Sequence, residues 1–339
     1  MEQRDLGKTD LKVSVLGFGS GAGGGLMTRG EPTDQVRAVV RAMEAGITYF
    51  DTAPGYGQGR SEENLGRVLG ELKAWDKVVL GTKVRFKDVD RANPAAWVRQ
   101  SVEASMRRLN HDRIDLLQLH NPVCKGATGS SPTGDDVPVE EVLAGIAEGM
   151  QQVQQAGLVA HLGYTGLGDT EPLHAIARDG RFKAVQAYFN LLNPSAAFAG
   201  AKGASQDFAG LIDTCSSSGV GVLAFRVFAS GALIAGPARH PIAGVPDAPL
   251  DAGPTYEANT ERARALLPVV ADLGLENALE LGLRFAQSKA GVSSVLVGFS
   301  DLDQLEDAVR WAERGSLPAS TVERIVAMAR HAKLKLSLF

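Results

Sequence analysis

The chain has 339 residues, 44% of them hydrophobic, enough to bury one large core or two ordinary ones. A net charge of −4 argues against a basic nucleic-acid surface, and no apolar run approaches the roughly 18 residues that a membrane-spanning helix needs. Two cysteines, Cys124 and Cys215, are too few for a disulfide framework, no Cys/His cluster has zinc-ligand spacing, and "MEQRDLGKTDLK" lacks the apolar region of a secretory signal. The expectation is a cytoplasmic protein acting on a small molecule, without a metal, nucleic-acid or membrane partner.

In chain order, "RDLGKTDLKV" reads as a small hairpin and residues 13–18 as the first strand. "PTDQVRAVVRAMEAG" has a helical period, with Thr33 as cap, Val36, Val39, Val40 and Met43 on one face, and Gly46 as terminator. "ITYFD" is a second strand. Ser61 then caps a helix whose stripe is Leu65, Val68, Leu69 and Leu72. "KVVLGTK" is a third strand. In the next helix Asn93 caps, Pro94 sits in the first turn, and Val98, Val102, Met106 and Leu109 face inward. "IDLLQLH" is a fourth strand, followed by a helix over about 139–156. "LVAHLGYT", "AVQAYF", "GVGVLAF" and "SVLVGF" are further strands, with a helix near 276–288 and a last amphipathic helix carrying Leu302, Leu305, Val309 and Ala312.

Strand and helix alternate without a composition break. The strands are near-continuous apolar runs, as parallel strands buried on both faces must be. The expected fold is α/β: one (β/α)8 TIM barrel over 1–339, with an N-terminal β-hairpin and long loops after strands four (121–138) and seven (226–257). Loops of that length in a compact domain usually carry function.

Barrel chemistry lies at the C-terminal strand ends. Those positions hold Asp51, Lys83 and His120, with Tyr56 five residues beyond Asp51. Singly, each has a bland reading: a turn-capping Asp, a solvated Lys, a core His. Converging on one rim, they form a set suited to reducing a carbonyl. The alkoxide that forms on hydride transfer needs a proton, which tyrosine can donate. An adjacent ammonium lowers the phenol pKa, a carboxylate keeps that ammonium charged, and a histidine orients the carbonyl oxygen.

At these residues the chain resembles the aldo-keto reductases, through "FDTAPGYGQGRSEENLG", "LGTKV" and "IDLLQLHNP", and the likeness extends to about residue 315. Within the family it looks most like bacterial aldose and sugar dehydrogenases. The resemblance implies an oxidoreductase that moves hydride between NAD(P)H and an aldehyde, ketone or aldose, with Asp51, Tyr56, Lys83 and His120 as a tetrad. It further implies cofactor contacts at Gly19, Thr165, Gln186, Phe225, Arg226, Ser230, Gly298, Ser300, Gln304 and Asp307. Thr165 stands where the family has Ser, Gly166 replaces its Asn, Phe225 its stacking Tyr, and Ala308 a second Asn. Lys and Arg, common in NADP-preferring members at the places of Gly298 and Gln304, are both missing, which favours NAD. Asn121, Met27 and Tyr188 are candidate substrate contacts. Two other readings stay open: a Schiff-base aldolase using Lys83, and a non-catalytic cofactor-binding regulatory subunit.

Gly19, Gly21 and Gly24 also match G-x-G-x-x-G, with Asp51 as a later acid. A dinucleotide fingerprint must open a helix at its third glycine, whereas here no helix is expected before about Thr33. The run is read instead as the rim loop of the first strand, kept small so that ligands can approach.

Overall fold

The computed structural model describes the chain except for residues 127–133, 201–205, 237–238, 246–254 and 336–339, so the middles of both long loops lie outside the described residues. An antiparallel hairpin, β1 (Gln3–Asp5) and β2 (Lys12–Ser14), precedes the barrel. Parallel strands β3 (Leu16–Gly19), β4 (Tyr49–Asp51), β5 (Val79–Val84) and β6 (Ile114–Leu119) follow. The short pair β7 (Val123–Cys124) and β8 (Val137–Pro138) closes the base of the loop after β6. Then come β9 (Val159–Gly166), β10 (Ala184–Tyr188), β11 (Gly221–Phe225) and β12 (Val292–Gly298). The barrel closes in the order β3-β4-β5-β6-β9-β10-β11-β12.

Around it lie α1 (Leu26–Arg29), α2 (Pro32–Glu44), α3 (Arg60–Glu71), α4 (Pro94–Leu109), α5 (Val139–Glu141), α6 (Ala147–Gln155), α7 (Thr170–Asp179) and α8 (Leu211–Ser218). After β11 come α9 (Tyr256–Arg264), α10 (Leu267–Asp272) and α11 (Ala278–Gln287), and after β12 come α12 (Leu302–Glu313) and α13 (Ala319–Lys335). No described helix is long and apolar enough to cross a membrane.

Several local expectations shift. The stretch 13–18 is two elements, because Val13 and Ser14 pair back to Arg4 and Gln3 while Leu16 onward pairs with β12. Helix α2 starts at Pro32 with Glu31 as its cap, not Thr33. Its buried stripe is Gln35, Ala38, Val39 and Ala42, with Val36 and Met43 partly covered at the edge. Helix α3 is capped by Gly59 in the left-handed region, which frees Ser61 to turn inward, where its hydroxyl meets Thr52 Oγ1 at 2.8 Å and the Ser20 carbonyl at 2.9 Å. Asn93 does cap α4, accepting from the Ala96 amide at 3.2 Å.

The barrel interior is layered by the period of two along each strand. Toward the hairpin, Tyr49, Leu116, Ala184, Leu223 and Leu296 pack with Leu6 and Val13, which plug the floor. Two residues further on, β4, β6 and β10 present Asp51, Gln118 and Gln186, and β5 presents Lys83. An apolar floor therefore gives way to a polar layer at the opposite end. Gly81 serves this arrangement, since a Cβ there would lie 2.3 Å from the Tyr49 hydroxyl.

Candidate active site

The polar layer converges on one carboxylate. Asp51 is 2% exposed, and its Oδ2 accepts from Lys83 Nζ at 2.5 Å. Its Oδ1 accepts from Tyr49 Oη (3.2 Å), Gln118 Nε2 (3.3 Å) and Gln186 Nε2 (2.5 Å). Lys83 also donates to the Thr52 carbonyl at 2.8 Å. Its ammonium lies 4.7 Å from the centre of the Tyr56 ring. The His120 ring stands edge-on to Tyr56, with centroids 5.8 Å apart. The four candidate catalytic residues thus meet at one rim, although they come from three strand ends and the turn after β4.

Electrostatics differ from the simplest expectation. The Lys83 ammonium does pull the Tyr56 phenol down, but burial pushes it up more strongly, so its pKa lies above the ordinary value. Lys83 is opposed by burial, yet Asp51 and the Tyr56 oxygen hold its pKa above the ordinary lysine range. Burial, reinforced by the charges of Lys83 and Arg85, pushes His120 well below the usual imidazole value. His120 is therefore a neutral donor near pH 7.

A cleft of about 320 Å³ runs from this rim over the ends of β11, β12 and β3. It is lined by Asp51 and Tyr56 at one end and by Ser300, Gln304, Asp307 and Trp311 at the other, with Gly19, Phe225, Arg226, Ser230 and Gly298 between. Thr165 and Gln186 are paired in register on β9 and β10 and are buried. Thr165 Oγ1 is buried without a hydrogen-bond partner among the described residues. A hydroxyl left so beside Gln186 suits the carboxamide of a nicotinamide, since a buried donor without a partner is costly. A Cβ at Gly166 would lie 2.9 Å from the Gln186 carbonyl, so Asn does not fit there without a backbone shift.

The glycine run lines the cleft without the geometry of a dinucleotide fingerprint. A helix, α1, does follow it, contrary to expectation, yet it has only four residues. A Cβ on Gly24 would fall 2.5 Å from both the amide nitrogen and the carbonyl oxygen of Phe299, and one on Gly25 2.1 Å from the Ile242 carbonyl. The run is small because the loops after β12 and β11 press against it. The second of these is tied down: the Gly244 amide bonds the Ala22 carbonyl at 3.0 Å, and Arg29 Nε bonds the Ile242 carbonyl at 2.8 Å.

The three candidate substrate residues are packed away. Met27 and Tyr188 are 1% exposed in the core, Tyr188 stacking on Phe208. Asn121 is fully buried, with its amide bonded to the Phe86 backbone and the Asp135 carbonyl. None of the three lines the cleft.

Sequence reasoning missed Gln118, Arg239 and Trp311. Gln118 had a signal, an amide near the C-terminal end of a mostly apolar strand, where barrel chemistry lies. Arg239 lines the cleft with its guanidinium donating to the carbonyls of Ser230 and Gly244. It had no signal, because it lies in a long loop without periodicity.

The family model described as "Aldo/keto reductase family" matches residues 15–330. The aldo-keto reductase YhdN of Bacillus subtilis is 33% identical over 193 residues, 52% of this chain and 53% of that protein, so the match spans about half its length. L-galactose dehydrogenase of Arabidopsis thaliana is 28% identical over 316 residues, covering 91% of this chain and 87% of that one. The solved aldo-keto reductase AKR11C1 from Bacillus halodurans (holo form) superposes with a TM-score of 0.73 at 22% identity, covering 97% and 96% of the two chains, which establishes the shared fold.

Proposed function

The chain belongs to the aldo/keto reductase family of oxidoreductases, and on that premise we propose that it interconverts a carbonyl and an alcohol, with an aldose or similar hydroxylated carbonyl compound as substrate. The observation that carries this reading is the buried Asp51–Lys83 pair against Tyr56, with His120 at the ring edge. A bound nicotinamide supplies or accepts the hydride. Tyr56 donates the proton to the forming alkoxide and takes it back in the reverse direction. Lys83 stabilises the phenolate as it forms, which offsets the burial that otherwise holds the proton on Tyr56. Asp51 keeps Lys83 charged. Neutral His120 donates to the carbonyl oxygen and fixes its position.

Thr165 and Gln186 are proposed to hold the carboxamide, Phe225 to stack on the ring, Arg226, Arg239 and Ser230 to face the pyrophosphate, and Ser300, Gln304 and Asp307 to take the adenosine end, with Gly19 and Gly298 leaving room. No Lys or Arg stands at Gly298 or Gln304, so NAD is the favoured cofactor. The buried free thiols Cys124 and Cys215 suit a cytoplasmic setting. The aldolase reading fares worse, because Asp51 holds Lys83 protonated and an ammonium is no nucleophile.

The test is a titration with NADH and NADPH followed by Trp fluorescence, for which Trp311 in the cleft is a reporter, then turnover on an aldehyde and aldose panel. Tight cofactor binding with negligible turnover on every substrate points to a regulatory subunit instead. Full turnover by Tyr56→Phe overturns the mechanism.

A further inference from the structure

The rim next to His120 carries an ion pair that the proton-transfer set does not use. Strand β5 ends at Val84, whose carbonyl accepts from the His120 amide at 2.8 Å. Beyond it, the Asn121 side chain extends the ladder: Oδ1 accepts from the Phe86 amide and Nδ2 donates to the Phe86 carbonyl, both at 2.8 Å. Arg85 lies between these anchors, and its own carbonyl accepts from Trp97 Nε1 at 2.9 Å. The backbone that bears Arg85 is therefore locked to the backbone that bears His120.

The Arg85 side chain is also held. Its Nη2 donates to Asp135 Oδ1 at 2.8 Å and its Nε donates to Asp135 Oδ2, a two-pronged pair. Asp135 is itself fixed from behind, where Asn121 Nδ2 bonds its backbone carbonyl at 2.7 Å. Asp135 is 16% exposed and Arg85 42%, so the pair is reachable from solvent. Both charges act on the His120 ring. Nη1 of Arg85 has no hydrogen-bond partner among the described residues.

We propose that Arg85, oriented by Asp135, is a specificity-determining residue that hydrogen-bonds a hydroxyl on the carbon next to the reacting carbonyl. The inference rests on the reading of Tyr56 and His120 as the site of carbonyl chemistry. A bare guanidinium here would select an anionic substrate. Asp135 neutralises it and repels a carboxylate or phosphate, while leaving N–H donors for a neutral oxygen. A hydroxyl fits those donors, whereas a substrate without one leaves them to water, so the hydroxylated substrate gains a charge-assisted hydrogen bond that the other lacks. Asn121 is a positioning residue in this scheme.

The experiment compares the full chain with Arg85→Met, Arg85→Lys and Asp135→Asn on glyceraldehyde and on propanal, a matched pair that differs in hydroxyls. The ratio of kcat/KM for glyceraldehyde over propanal is expected to fall about 10-fold or more in Arg85→Met, chiefly through KM. Arg85→Lys, which keeps the charge but loses the fork, and Asp135→Asn are expected to lower it less. An unchanged ratio in Arg85→Met, or equal losses on both substrates, overturns the proposal. So does a wild type that prefers a carboxylated aldehyde of similar size to glyceraldehyde. A wild type that reduces neither glyceraldehyde nor propanal, and oxidises no aldose, overturns the underlying reaction instead. Should Arg85→Met not fold, the Arg85→Lys and Asp135→Asn ratios decide, and no change in either overturns the proposal.

Discussion

The Lys83 ammonium and the Asp51 carboxylate meet at 2.5 Å inside the barrel mouth, with side chains 0% and 2% exposed. Neither charge is solvated, so each depends on the other and on the donors around it. Removing one partner leaves the other buried and uncompensated, which typically costs about 3–5 kcal/mol. Asp51→Ala is therefore expected to lower stability by that order in denaturant unfolding. The double variant Asp51→Ala/Lys83→Met is expected to recover part of the loss, because it leaves no orphan charge. A double variant no more stable than Asp51→Ala shows that the pair is not coupled.

Tyr56→Phe removes the proposed proton donor while keeping the ring on which Lys83 lies. Turnover is expected to drop by about 10²–10⁴-fold, with cofactor affinity nearly unchanged, since only the hydroxyl is removed and the ring that lines the cleft is kept. Stopped-flow turnover and Trp quenching separate the two effects. A variant that loses binding and turnover together assigns Tyr56 a structural role.

His120 gives a pH signature with a definite sign. Its folded pKa lies well below the ordinary imidazole value, so the unfolded chain takes up a proton first as the pH falls. The stability tied to this residue is full above about pH 6.5 and is lost as the pH drops toward the folded value, by up to roughly 1.4 kcal/mol per pH unit. Unfolding free energies of the wild type and His120→Gln between pH 5 and pH 8, an interval of about 3 units around that value, are expected to converge on the acid side. Parallel curves contradict the half-buried, neutral imidazole.

Cofactor choice is testable at two exposed positions. Gly298 is exposed, and a Cβ there would have no neighbour closer than 3.4 Å, so a side chain fits. Gln304 is likewise exposed, with its Oε1 bonded to the Ser300 amide at 2.9 Å. Gly298→Lys/Gln304→Arg is expected to tighten NADPH about 10-fold or more relative to NADH, measured by Trp quenching. Wild-type protein that already binds NADPH as tightly as NADH refutes the NAD preference.

Gly24→Ala tests why the glycine run is glycine. The added methyl collides with the Phe299 backbone, which cannot rotate away as a side chain would. A loss of about 1–3 kcal/mol in stability is expected, whereas Gly23→Ala, with nothing within 4 Å of its Cβ, costs far less. Equal effects at the two positions dismiss the packing explanation.

The alternation of apolar strands with amphipathic helices specified the barrel from sequence, because burial on both faces of a parallel strand and on one stripe of a helix is written in periodicity. The strand ends followed, and with them Asp51, Lys83, His120 and nearby Tyr56. Caps were less legible: Thr33 and Ser61 have the right chemistry, but Pro32 and the left-handed Gly59 begin their helices earlier. Side-chain direction beyond the strands was not legible at all. Asn121 follows His120 and invites a substrate role, yet its amide completes the ladder at Phe86. Arg85 had no periodic signal, and only the pairing of β5 with β6 brought it beside His120 and within reach of Asp135. Periodicity is a local property carried by the chain itself. Pairing between residues 50 apart in sequence depends on where the paired strands put their ends, which only the tertiary structure decides.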